Sequence, residues 1–232
     1  MQEVAGSSPA SSTRSKAVRE GGLRALRHPT AAAQRAMIWF MTIDPASREL
    51  LFDAHTAFTF DQEPLQDDIV EHLYELIRFA PTAVNSQPLR LVIVDRDARP
   101  RLLPYMAGGN QAKTESAPLT LIAAADTGFH DHLPTVFPHN PGMRDAFLED
   151  EARAAFARAQ GWLQVGYVIL GIRALGLAAG PMTGFDAAGV TADLLTDTGL
   201  EALCVINVGR PGPDAFFPRS PRLAADQVIR RL

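Results

Sequence analysis

A single helical pattern over residues 150–175 constrains this chain more than any other stretch. Its first part is amphipathic, marked by Glu149, Glu151, Arg153 and Arg158, whereas from Trp162 to Leu175 apolar residues run nearly all the way round. Gln164 and Arg173 interrupt that second part, and the uninterrupted stretch is shorter than the roughly 20 residues a bilayer span requires. A helix so apolar needs cover on every face, which one domain of this size supplies only with difficulty. The pattern therefore predicts a core or interface helix and points to a dimer.

Short elements surround it. In residues 66–80, Ile69, Val70, Leu73, Leu76, Ile77 and Ala80 recur at helical spacing, with acids on the other side and Pro81 as terminator. The runs 89–94 and 119–124 are β-rich and follow Pro88 and Pro118, and 201–208 gives a third strand before a Pro-rich C-terminal section. Strands and helices mix without a βαβ rhythm, so the fold class expected is α+β. No repeat or low-complexity linker divides the chain from residue 42 to residue 232, and one domain is the simplest organisation.

Residues 1–41 differ in kind. They hold Arg14, Lys16, Arg19, Arg24, Arg27 and Arg35 against Glu3 and Glu20, and the run Gly6 to Thr13 has no periodic apolar face. Such a segment buries too little surface to offset its ordering entropy, so it is expected to be disordered, or to be an over-extended start with Met37 or Met41 as the first residue. A basic arm of this kind can also bind nucleic acid, but the whole chain carries a net charge of −4, which argues against a nucleic-acid partner. The lone Cys204 cannot make an intramolecular disulfide, which favours a reducing, cytoplasmic compartment, and neither a signal peptide nor a membrane partner is expected.

Three stretches could carry chemistry. Pro81 to Arg90 is a polar loop pinned by two prolines between a helix and a strand, presenting Thr82, Asn85, Ser86 and Gln87; it reads equally as an ordinary turn capped by Asn and Ser. Gly176 to Asp186 offers a helix C-cap at Gly176 and, at Gly184, a residue without Cβ that a flat ligand could approach closely. In Phe217 to Leu223, prolines hold Arg219 and Arg222, whose guanidinium groups match phosphate oxygens, although a solvated basic turn has the same composition. His130, His132 and His139 superficially resemble a metal-ligand cluster, yet they lack an acidic or Cys partner at ligand spacing, and no metal is expected. No Gly-x-Gly-x-x-Gly, Walker loop or Gly-x-Ser-x-Gly occurs, so the dinucleotide-fold, phosphoryl-transfer and serine-hydrolase readings lack their parts.

Taken in order, five segments resemble the nitroreductase family of flavoproteins, and within it the malonic semialdehyde reductase branch. They are Phe79 to Arg90, Gly109 to Pro118, Leu133 to His139, Arg173 to Asp186, and Pro218 to Leu223, and the likeness covers residues 45–232. The resemblance implies a nitroreductase-like α+β fold, with a central, mostly antiparallel sheet flanked by helices, in an intertwined homodimer. It implies FMN at the dimer interface and NADH or NADPH as co-substrate. Thr82, Asn85 and Gln87 would border the flavin ring, the turn Pro181, Met182, Thr183 and Gly184 would aim backbone N–H groups at it, and Arg219 and Arg222 would hold the phosphate. Arg90 or Lys113 would pair with an acceptor's carboxylate, and the acceptor would be a small carbonyl, nitro or quinone compound. Close relatives carry an early Asp-Ala-Arg-Thr, whereas this chain reads Asp53-Ala54-His55-Thr56. His55 would then occupy a phosphate position without Arg's fixed charge. The resemblance leaves three functions to separate: a small-aldehyde-acid reductase with malonic semialdehyde as substrate, a broad nitro or quinone reductase, and a flavin carrier without turnover.

Overall fold

In a computed structural model, residues 43–53 and 55–232 are described, and the tail expectations for residues 1–41 lie outside them. The strands are β1 (Leu89–Val94), β2 (Leu119–Asp126), β3 (Ala178–Met182) and β4 (Leu200–Gly209). They form one sheet in the order β1-β2-β4-β3, every neighbouring pair antiparallel. β2 and β4 are central and almost wholly buried, as their continuous apolar runs require. β1 and β3 are the two edges.

Among the described residues four α-helices of eight residues or more accompany the sheet: α1 (Ile69–Ile77), α2 (Gly108–Ser116), α3 (Asp150–Ala174) and α4 (Ala187–Leu194). α3 runs over one face, where Val165, Val168 and Ile172 pack with Leu121, Leu203 and Ile206 in the main core. A second core, with Met106, Ile122, Val190 and Val205, fills the other face under α4. Glu149 caps the start of α3 by accepting the N–H groups of Glu151 and Ala152. Its end is a Schellman motif: Gly176, at φ +75°, donates to Arg173 O while Leu177 donates to Ile172 O.

The long helix, the strands expected at 89–94, 119–124 and 201–208, and the α+β class are all present, the second strand running on to Asp126 and the third spanning Leu200–Gly209. The first helix is shorter than expected, spanning Ile69–Ile77. Pro181 and Met182, expected in a turn, lie instead in the edge strand β3; Pro181 sits there opposite Ile206, a place where its missing N–H costs no central ladder bond. The apolar half of α3 is incompletely covered within one chain. Trp162 is 42% and Leu163 45% exposed, and Tyr74, Leu76 and Phe79 on and after α1 are exposed too.

Candidate functional site

The loop at residues 82–87 is the most strained backbone in the chain. Val84, Asn85 and Gln87 all have positive φ (50°, 52° and 45°), a region that a β-branched residue such as Val adopts rarely and at a cost of roughly 1–3 kcal/mol. The surroundings hold it in that shape. Gln160 and Gln164 of α3 accept the N–H groups of Ala83 and Leu89, Gln87 N–H donates to Thr82 Oγ1, and Asn85 Nδ2 donates to Val136 O. Ser86 is 2% exposed and its Oγ has no partner within the chain. Ser86 and Gln87 border a cavity of about 590 Å³ between α1 and β1, together with Arg90, His132 and Gln164.

Arg90 is already engaged there. Its guanidinium donates to Gln87 O, Leu89 O and the Asp126 carboxylate, and Asp126 also accepts the Gly128 N–H. His132 Nε2 lies 3.8 Å from the same carboxylate. The histidine loop is thus a structured neighbour of the cavity: Phe129 is fully buried and stacked near Phe147 and Phe156 beneath it. Among the described residues no group of His, Cys, Asp and Glu is placed to hold a metal.

A second assembly lies at the opposite edge of the sheet. The segment after Ala54 runs beside β3, with Ala57 N–H donating to Ala179 O and Phe58 N–H donating to Ala215 O. Gly180 is where this strap crosses closest: a Cβ there would stand 2.9 Å from Ala57 O and 3.3 Å from the Phe60 ring. The strap brings His55 to Phe217 O, on which its Nε2 bonds at 3.0 Å, and brings Asp53 O to the Arg219 guanidinium. Arg173, at the end of α3, lines a cavity of about 380 Å³ with His55, Glu49 and residues 176–179. Two nitrogens here are buried without a partner, His55 Nδ1 and Arg173 Nε. The unused Arg173 Nε–H, within reach of the Arg219 charge, fits a phosphate, whose oxygens only accept, and thereby fits the FMN that the sequence leads one to expect. Arg222 bonds only to its neighbours Ser220 O and Pro221 O among the contacts seen.

The turn after β3 is smaller than expected. Pro181 and Met182 belong to the strand, and Pro181 has no N–H to offer; only Thr183 and Gly184 form the turn. Gly184 O accepts from Ala107 N–H and from Asn110 Nδ2, while Lys113 donates to Asn110 Oδ1 and lies 4.7 Å above the Phe58 ring. Lys113 therefore belongs to the β3 edge and Arg90 to the β1 edge. Sequence reasoning missed Gln160, Gln164 and Arg173 as functional positions. Their signal was present as polar residues in or beside an apolar helix.

The sheet and helices of this chain align with those of solved flavin-dependent reductases. A nitroreductase from Exiguobacterium sibiricum, determined in complex with FMN, gives a TM-score of 0.71 at 16% identity, over 79% of this chain and 96% of that one. The NADPH:FMN oxidoreductase of Vibrio harveyi complexed with NAD+ gives 0.62 at 21% identity, over 80% and 76%. The family itself is fixed by sequence: the model described as "Nitroreductase family" matches residues 55–210, and this chain belongs to that family. A Streptomyces coelicolor protein named NADH dehydrogenase/NAD(P)H nitroreductase is 50% identical over 192 residues, 82% of this chain and 97% of that protein. A Leptothrix cholodnii protein of the same name is 43% identical over 183 residues, 78% and 93% of the two. No helix among the described residues is long and apolar enough to cross a membrane.

Proposed function

We propose that this chain is an FMN-containing, NAD(P)H-dependent oxidoreductase that works as a homodimer and reduces a small aldehyde acid, malonic semialdehyde to 3-hydroxypropionate. Family membership, the names of its relatives as NAD(P)H nitroreductases and its likeness to NAD(P)H:FMN oxidoreductases support the flavin chemistry. The observation that supports the reading is the pairing of a strained polar loop at one sheet edge with a buried arginine donor left unused beside a second arginine at the other.

FMN, when bound, would supply two-electron hydride chemistry between a nicotinamide and the acceptor. The protein's part is placement. Thr82, Asn85 and Gln87 border the ring at the β1 edge, while His55, Arg219, Thr183 and Gly184 belong to the β3 edge. Three inter-strand spacings separate those edges, roughly 14 Å, so one ring reaches both groups most simply where two copies meet. The exposed Trp162, Leu163, Leu76 and Phe79 supply an apolar surface for such a contact. On the acceptor side, the 590 Å³ cavity is lined by His132, whose Nε2 stands 3.8 Å from the Asp126 carboxylate, and by Arg90, which is paired to that carboxylate.

A broad nitro or quinone reductase is the second reading, favoured by the relatives' names. Steady-state turnover of the full chain with NADH and NADPH, comparing malonic semialdehyde with nitroaromatic and quinone acceptors, separates the two. The proposal expects kcat/KM to be highest for the aldehyde acid. Higher values for nitroaromatics or quinones establish the second reading, and a yellow protein without turnover establishes a carrier.

A further inference from the structure

Arg173 is the one cation in the terminal turns of α3 that faces inward. It is 9% exposed, although its helix could have placed the side chain in solvent as it does for Arg158. A guanidinium taken out of water needs a partner, since burying a charge without one is costly. Among the described residues the one hydrogen bond of Arg173 runs from Nη2 to Glu49 O at 3.2 Å, a neutral carbonyl. Its Nε is buried without an acceptor.

The surroundings make this placement more costly still. Arg219, whose guanidinium is tied to Asp53 O, lies near enough for its positive charge to act on Arg173, with Asp53 as the nearby counter-charge. Burial first, and then the charge of Arg219, hold the Arg173 guanidinium below the usual arginine range. His55 borders the same cavity and also keeps a buried nitrogen without a partner. The two guanidinium charges repel one another, and the Arg173 Nε–H is left unused. A dianionic acceptor would reverse both penalties.

We infer that Arg173 is a phosphate-binding residue of the flavin site, supplying from the end of α3 the fixed charge that position 55 lacks. The Schellman motif at Gly176 serves this placement, because it turns the chain sharply into β3 directly after Arg173 and leaves the side chain at the rim of the cavity. The ligand chemistry is a phosphate monoester. It occurs in FMN and also at the 2′ position of NADPH, and the inference assigns it to FMN. This rests on the flavin reading above.

The test titrates the full-length, flavin-stripped chain with FMN and with riboflavin, which is the same ring without the phosphate, by quenching of flavin fluorescence. Two variants are compared with wild type: Arg173→Met, and Arg173→Gln, which keeps a donor for Glu49 O and so preserves the contact to the N-terminal segment. Both variants are expected to lose FMN affinity by roughly ten- to a hundredfold, as the removal of a charge-assisted bond predicts, with riboflavin affinity unchanged. Equal losses for both flavins in the Gln variant, or unchanged FMN affinity in either, overturn the assignment. So does a variant that keeps FMN affinity but loses its preference for NADPH over NADH. A wild-type chain that binds neither flavin sinks the flavin reading as well, and that outcome is distinct from a wild type that prefers FMN and variants that keep the preference.

Discussion

The side-chain oxygen of Gln164 accepts the backbone N–H of Leu89 at 3.0 Å, so a residue in the middle of the apolar helix fixes the first residue of the edge strand β1. Gln160, one turn earlier, accepts the N–H of Ala83. Between these two anchors lie the three positive-φ residues of the loop proposed to border the flavin ring. Strain of that kind persists only where neighbours impose it.

Gln164→Leu keeps the volume and removes the acceptor, leaving the half-buried Leu89 N–H without a partner. Stability should fall by about 1–3 kcal/mol in chemical denaturation, and FMN affinity should fall with it because the loop is released. Full stability together with full affinity would show that the loop holds its shape without the glutamine.

Gly180→Ala should be much more harmful than Gly184→Ala. At Gly180 the new methyl meets the backbone oxygen of Ala57 at 2.9 Å, and neither that strap nor β3 can move aside freely. At Gly184 it meets Asn110 Nδ2 at 2.8 Å, the end of a side chain that can rotate away. Thermal melts should show a loss on the order of 1–3 kcal/mol for the first variant, and for the second mainly the loss of one exposed hydrogen bond. The reverse ranking would mean that the strap is loosely held.

Arg90→Met separates a structural role from a substrate-binding one. The Asp126 side chain is only 13% exposed, so removing its partner leaves a carboxylate short of a counter-charge; because Arg90 is itself a third exposed, about 1–2 kcal/mol of stability should be lost. A higher KM for an acidic acceptor at unchanged stability would instead assign Arg90 to the substrate.

Burial pushes the Cys204 thiol up to about 11, because desolvation in the centre of β4 disfavours the thiolate. In the folded chain at pH 8 it should resist iodoacetamide and become reactive only in denaturant. An unfolded thiol ionises near pH 8.5, so the unfolded state binds fewer protons above that value. The contribution of Cys204 to stability should therefore be complete below about pH 8 and decline as the pH rises toward 11. Rapid native alkylation at pH 8 would contradict the burial.

Much of this arrangement was legible in the chain before folding. β1, β2 and β4 are β-branched and apolar runs with few turn residues inside them, so pattern and structure agree. β3 was not legible. Ala178, Gly180 and Pro181 have low strand propensity, and the strand exists because Gly180 admits the Ala57 backbone and because an edge position tolerates Pro181. The motifs marked Thr82, Asn85 and Gln87, but only the packing shows which glutamines hold them. Arg173 read as an interruption of an apolar helix; what it faces depends on a segment more than a hundred residues earlier, and no local pattern encodes such a contact.

The width of the sheet has a consequence for how activity scales with protein. If the proposed ring-bordering loop at one edge and the proposed phosphate site at the other serve the flavin, an isolated chain holds two halves of different centres, whereas a pair of chains completes two. Specific activity should then fall on dilution below the dissociation constant of the pair. A preparation mixed from chains disabled at Gln87 and chains disabled at Arg219 should recover turnover that neither has by itself, because each mixed pair rebuilds one intact centre from its two undamaged halves.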